Sequence, residues 1–143
     1  MGRDSCAPDT LLFVRNRVRE RVSPHIGATF THANRVRLRG ALDAYLRSCY
    51  RRQSAARVSE FAETIGVTRS YISRAFRSIL GATVRQEMRE AQVRHAERLL
   101  RETPLSTSEV AAAAAFGTPA TFFRIFIRLR GTTPDAYRHE VTK

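Results

Sequence analysis

The chain repeats itself, and the repeat limits its fold more than any other feature. Val58-Ser-Glu-Phe-Ala-Glu-Thr-Ile-Gly-Val-Thr-Arg-Ser-Tyr-Ile-Ser-Arg-Ala-Phe-Arg77 returns about 49 residues later as Thr107-Ser-Glu-Val-Ala-Ala-Ala-Ala-Ala-Phe-Gly-Thr-Pro-Ala-Thr-Phe-Phe-Arg-Ile-Phe126. Setting Ala62 against Ala111 and Phe76 against Phe126 takes one inserted residue in the second copy. Each copy reads as helix, tight turn, helix, with a glycine soon after. A small residue in the first helix lets the second pack close, as in a helix-turn-helix. Two amphipathic helix pairs also fit a plain helical bundle. Either way the class is all-α, because nothing in the chain alternates with the period of a strand.

Start and stop signals place the other helices. Leu42, Tyr45, Leu46, Cys49 and Tyr50 follow the i, i+3, i+4, i+7, i+8 stripe of an amphipathic helix, with Arg47, Arg51 and Arg52 beside it. A short helix is expected from Ser59 to Gly66, with Phe61, Ala62 and Ile65 inward. The next begins after the cap Thr68, carries Tyr71, Ile72, Ala75, Phe76, Ile79 and Leu80, and ends at Gly81. Thr83 and Gln86 form a capping box that opens the longest helix. Its inward side reads as Val84, Met88, Ala91, His95 or Ala96, and Leu99, and Pro104 marks its end. Ser106 and Glu109 form a second box ahead of an alanine-rich helix, Val110 to Ala115. Thr118-Pro119 and Thr133-Pro134 are caps with proline at the first helical position. They open a helix ending before Gly131 and a last turn from Asp135 to His139.

Four regions follow. Residues 1–35 are expected to be a basic arm, with one short helix candidate on Leu11, Val14, Val18 and Val22. Residues 36–82 and 103–143 are expected to be two homeodomain-like helix-turn-helix subdomains, joined by a long linker helix over 83–102.

Charge names the class of partner. The 143 residues carry 25 basic side chains against 13 acidic ones, a net charge of +12, and every basic residue but Lys143 is arginine. Arginine suits planar, bidentate recognition of phosphate and guanine. Such a surplus points to a polyanion, double-stranded DNA before an anionic membrane surface. Residues 1–57 hold twelve arginines against four acids, so most of the surplus lies toward the N-terminus. Val84 to Arg101 is 18 residues, about 27 Å of helix at about 1.5 Å per residue. Successive major-groove faces on one side of DNA lie about 34 Å apart. On that spacing one chain reads two adjacent groove segments as a monomer.

Other classes drop out. No apolar run approaches a membrane-spanning length, and Met1-Gly2-Arg3-Asp4-Ser5-Cys6 lacks the apolar core of a signal peptide. Residues 11–22 offer an apolar face only four residues wide, so no membrane partner is expected. Cys6 and Cys49 are too few for a four-ligand zinc site and are expected as reduced thiols. His25, His32, His95 and His139 have no metal-ligand spacing. With no Gly-rich phosphate loop and no nucleophile–base motif either, neither an enzyme nor a cofactor is expected.

From about Arg39 to Arg138 the chain resembles the AraC/XylS DNA-binding domain. The closing stretch Phe122-Phe-Arg-Ile-Phe-Ile-Arg-Leu-Arg-Gly-Thr-Thr-Pro-Asp-Ala-Tyr-Arg138 is similar to that family's signature, with Phe-x-x-x-Phe, Gly-x-x-Pro and a final Tyr-Arg. Arg89, Ala96, Leu99 and Leu100 look like its linker helix. The resemblance implies seven helices, two helix-turn-helix units and promoter binding in a bacterial cytoplasm, on the nucleoid. By position it implies that Arg69, Ser70, Ser73 and Arg74 face bases and Arg77 faces the backbone. Amphipathicity agrees, since it leaves positions 70, 73, 74 and 77 outward. The family usually adds an N-terminal effector domain, for which the 38 residues ahead of the resemblance are too few.

The second unit departs from the pattern. Ala115 stands before Phe116 where glycine is usual, and Gly117 comes one step later. The base-facing positions hold Pro119, Ala120, Thr121 and Phe123, which leaves Arg124 as the reader. Ile127 replaces a basic residue, and Thr107 an apolar one. The expected contacts here are Thr118, Thr121, Arg124 and Arg128, with Arg130 as a further phosphate ligand. The sequence therefore supports a sequence-specific transcription regulator first. A weakly specific DNA binder comes second. A module that contacts RNA polymerase or another regulator through Phe123, Ile127 and the arm comes third.

Overall fold

A computed structural model describes residues 31–142. The helix candidate on Leu11 to Val22 lies outside the described residues. Among the described residues there are seven helices and no strand: α1 (Thr31–Arg52), α2 (Val58–Thr64), α3 (Arg69–Leu80), α4 (Val84–Glu102), α5 (Thr107–Ala113), α6 (Pro119–Arg130) and α7 (Pro134–Val141). None is long and apolar enough to cross a membrane. The described residues divide into two compact units. One holds those up to Tyr45 with Arg57–Gln86, and the other holds Leu46–Ala56 with those from Glu87 on. Helices α1 and α4 thus each contribute to both.

In the first unit Leu38, Leu42 and Tyr45 of α1 are buried together with Phe61 of α2 and Ile72 and Phe76 of α3. Phe61 stands 5.5 Å from Tyr45 and 6.0 Å, edge-on, from Phe76, so one ring ties three helices. The Tyr45 hydroxyl accepts from the Arg57 backbone N–H at 2.9 Å and donates to Glu60 Oε1 at 2.6 Å. It thereby fixes the start of α2, whose N-cap side chain makes no capping bond. Helix α1 begins at Thr31, inside the stretch assigned to the arm, because buried Asn34 and Leu38 extend its inward stripe one turn toward the N-terminus.

The second unit is built on Phe116, Phe122 and Phe126, packed with Val93, Ala96 and Leu100 of α4 and Val110, Ala111 and Ala114. The rings run Phe116–Phe122 (5.0 Å), Phe122–Phe126 (5.6 Å) and Phe126–Tyr137 (5.7 Å). The inward side of α4 is corrected here. Met88, Gln92, Val93, Ala96 and Leu100 are buried, whereas Ala91, His95 and Leu99 are only half-buried. Gln92 explains the shift: its Nε2 donates to the carbonyls of Ala114 (3.0 Å) and Ala115 (2.8 Å), and its Oε1 accepts from Arg89 at 3.0 Å. A buried amide with all these partners is a satisfied core group.

The Tyr-Arg pair near the C-terminus also has a structural role. Arg138 donates to the carbonyls of Leu100 (3.0 Å) and Thr103 (3.1 Å), capping the last turn of α4. The Tyr137 hydroxyl accepts from Arg101 at 2.9 Å. Helix α7 continues to Val141, two residues past the expected turn.

Candidate nucleic-acid interface

Both expected recognition helices are framed in the same way. In the first unit Thr68 caps α3 by accepting from the Tyr71 N–H at 3.0 Å, and Gly81 stops it. In the second, Thr118 caps α6 by accepting from the Thr121 N–H at 3.1 Å, and Gly131 stops it. Thr83 closes its capping box with Gln86 (2.8 and 3.0 Å), and Ser106 does so with Glu109 (2.8 and 3.1 Å). The turns match as well. Gly66 donates to the Glu63 carbonyl and Val67 to that of Ala62; Ala115 donates to Ala112 and Phe116 to Ala111. Gly66 and Ala115 share the left-handed conformation, at φ +77° and +63°. The inserted residue is therefore Gly117, at φ +88°. A Cβ there would meet the Ala55 Cβ at a tight 3.2 Å, so conformation and space both favour glycine. The alanine-rich helix ends at Ala113, two residues short of expectation, because Ala115 must turn the chain.

Helix α3 buries Tyr71, Ile72 and Phe76. Arg69, Ser70, Ser73, Arg74 and Arg77 are all exposed. Arg74 Nη1 lies 3.5 Å from Ser70 Oγ, a long contact that leaves the guanidinium fork available. Three guanidiniums and two hydroxyls on one exposed helical face can donate to guanine O6 and N7 and to phosphate oxygens.

Helix α6 buries Phe122, Ile125 and Phe126 and exposes Ala120, Arg124, Ile127 and Arg128. The hydroxyls of Thr118 and Thr121 lie 3.0 Å apart, so both belong to the helix cap, with Thr121 half-buried. Phe123 is half-buried edge-on against Phe122 at 5.9 Å and packs on the unit's own core. The phosphate role expected for Arg130 is corrected. It forks onto Glu97 (Nε–Oε2 2.7 Å, Nη2–Oε1 3.2 Å) and also reaches Glu90 at 2.6 Å. Those two carboxylates hold its proton even more tightly than usual. Its charge is spent inside the unit.

One frame with two faces suggests a duplicated DNA-reading element, and known proteins agree. Residues 61–140, more than half of the chain, match a family described as a helix-turn-helix domain. The chain belongs to the AraC-type helix-turn-helix family. This is a family of DNA-binding transcription regulators, not of enzymes. The chain is 40% identical over 77 residues to the HTH-type transcriptional regulator GlxA of Rhizobium meliloti (strain 1021), covering 54% of this chain and 24% of that protein. It is 31% identical over 107 residues to the HTH-type transcriptional activator RhaR of Salmonella typhi, covering 75% and 32%. The chain thus spans a quarter to a third of the curated relatives it matches. Among solved structures it is similar to the DNA-binding domain of the global transcriptional factor AdpA in complex with a target DNA, with TM-score 0.60, 28% identity, and coverage of 70% of this chain and 91% of that one. It is also similar to the C-terminal domain of the response regulator AraT from Geobacillus stearothermophilus, with TM-score 0.64, 25% identity, and coverage of 72% and 84%. The seven AraC-type helices expected from the sequence are thus found.

Proposed function

We propose that this chain binds double-stranded DNA sequence-specifically as a monomer and regulates transcription in the bacterial cytoplasm, on the nucleoid. Each helix-turn-helix lays its second helix, α3 or α6, in a major groove, and the two grooves are successive. The reading rests on the exposed face of α3, where Arg69, Ser70, Ser73, Arg74 and Arg77 have no packing role. In this reading Arg69, Ser70, Ser73 and Arg74 read bases, while Arg77 grips the backbone beside them. In the second unit Arg124 reads and Arg128 grips phosphate, while Thr118 and Thr121 offer the first-turn backbone of α6. The complex of the AdpA domain with its target DNA supports the mode of binding. Contact with RNA polymerase through Ile127 is a second reading, favoured by the exposure of that side chain (43%).

The test is selection from random double-stranded DNA at about 150 mM salt, where phosphate contacts alone bind weakly. Arg74→Ala and Arg124→Ala run beside the parent chain. Two preferred blocks about one helical turn apart are expected, the first lost in Arg74→Ala and the second weakened in Arg124→Ala. Equal enrichment of all sequences would sink the reading.

A further inference from the structure

The two helix-turn-helix copies start their first helices differently. In the second, Ser106 caps α5 with its own hydroxyl, and the Glu109 carboxylate accepts from the Ser106 N–H. The corresponding residue in the first is Arg57, three positions ahead of Glu60 as Ser106 is of Glu109. Arginine has no acceptor to offer as a cap. Its charge also stands at the positive end of the α2 dipole, where a cation is unfavourable. Part of the box is supplied from α1 instead: the buried Tyr45 hydroxyl accepts from the Arg57 N–H and donates to Glu60 Oε1. The Arg57 side chain makes no capping bond and is exposed. The folding of α2 therefore gains nothing from this guanidinium and is set back by it.

Its place in the unit indicates what it can meet. Phe61, one turn into α2, stands edge-on to Phe76 at 6.0 Å. Phe76 adjoins Arg77, the residue assigned above to the DNA backbone. The first turn of α2 thus packs on the part of α3 that carries Arg77. In a helix-turn-helix the first helix crosses the backbone while the second lies in the groove. A guanidinium at this end can fork onto phosphate oxygens, a contact that carries no base preference. We infer that Arg57 is a phosphate ligand of the first unit, gripping the backbone on the Arg77 side of the groove, and that it holds the cap position at a cost in stability. The inference rests on the DNA-binding reading and adds to it a contact outside the two recognition helices.

Arg57→Ser and Arg57→Lys separate binding from folding. Serine restores the cap seen at Ser106, and lysine keeps the charge without the fork. Urea unfolding of the full chain is measured beside titrations of its selected duplex and of a scrambled one at three salt concentrations. Arg57→Ser is expected to raise the unfolding midpoint. It is also expected to weaken both duplexes by the same factor and to lower the slope of log affinity against log salt by about 1. Arg57→Lys should keep the slope, because counterion release needs only the charge. Selection repeated with Arg57→Ser should return the bases of the parent chain. An Arg57→Ser chain with parental affinity and slope overturns the assignment and leaves the DNA-binding reading standing. So does a change in the selected bases, or an unfolding midpoint that falls, since the arginine then reads a base or holds the unit together. A parent chain that binds neither duplex at any of these salt concentrations overturns both.

Discussion

Ala115 turns the second unit at φ +63°, in the position that Gly66 fills in the first at φ +77°. An L-residue pays about 1–2 kcal/mol for that conformation. The cost is tolerated here because the Ala115 carbonyl accepts from both the Ala56 N–H at 3.0 Å and Gln92 Nε2 at 2.8 Å. Ala115→Val adds a branched Cβ to a buried left-handed residue and is expected to cost about 3 kcal/mol or more. Ala115→Gly relieves strain but loses a packed methyl and frees the unfolded chain, so it should stay within about 1 kcal/mol of the parent. Urea-unfolding midpoints measure both.

Gln92→Leu preserves volume and removes the donor to two carbonyls at the end of α5. The carbonyl of Ala115 keeps the Ala56 N–H, but among the bonds described that of Ala114 keeps none. The expected loss is about 2–3 kcal/mol, the cost of an unmet buried acceptor and the packing around it. A loss below about 0.5 kcal/mol would mean that water reaches the turn.

The Arg130–Glu97 pair is forked and mostly shielded, with side chains 23% and 16% exposed. It should exceed the small value of a surface ion pair. A double-mutant cycle with Arg130→Met and Glu97→Gln is expected to give a coupling of about 1–2 kcal/mol. Glu90 adds an acid dependence, since the hydrogen bond from Arg130, followed by the nearby guanidinium charges, holds its carboxyl below the usual 4.5 despite partial burial. A carboxyl depressed in the folded state stabilises above its unfolded value. That contribution is lost as pH falls through the lowered one. Glu90→Gln should therefore flatten the stability profile below about pH 4.5.

His95 carries a second pH dependence. Its ring stacks on Tyr50 with centroids 4.0 Å apart, and its Nδ1 lies 3.1 Å from Arg98 Nη2. Burial, and then the Arg98 charge, hold the imidazole below the usual 6.5. Folding therefore favours the neutral ring, so stability is complete above pH 6.5 and declines as pH falls below it. His95→Gln should remove that decline from thermal melts recorded between pH 7 and 5.

At the DNA, Arg74→Ala should cost about 1–3 kcal/mol on the preferred site and relax preference at a single base. Arg128→Ala should weaken all sequences alike and lower the slope of log affinity against log salt by about 1. Titrations at three salt concentrations separate the two.

Much of this fold is legible because its signals are local. Thr68, Ser106 with Glu109, Thr118-Pro119 and Thr133-Pro134 each act within one turn of where they stand, and each caps the helix it announces. The repeat alignment shows that one residue is inserted, and the backbone conformation locates it at Gly117. What sequence reasoning missed is tertiary. Gln92 looks like a surface residue and thereby hid the phase of α4, because its acceptors lie 22 and 23 residues away. Arg130 looks free for phosphate in the sequence because its carboxylates lie 33 and 40 residues away. Ala115 reads as helix from propensity, and the turn overrides it. The outward row of α3 was readable from amphipathicity alone. Ile127 departs from the pattern in the sequence, and the structure leaves it exposed.

The common framing of α3 and α6 has a consequence for how such a protein changes over time. The caps, stops and buried faces that fold each helix share no side chain with the exposed positions Ser70, Ser73, Arg74, Ala120, Arg124 and Ile127. Foldedness and address are therefore written in separate alphabets on the same helix. Substitutions at the exposed positions pass unseen through any screen for solubility or thermal resistance. Two readers on one frame are then free to drift toward different words of DNA, while the scaffold that holds them stands still.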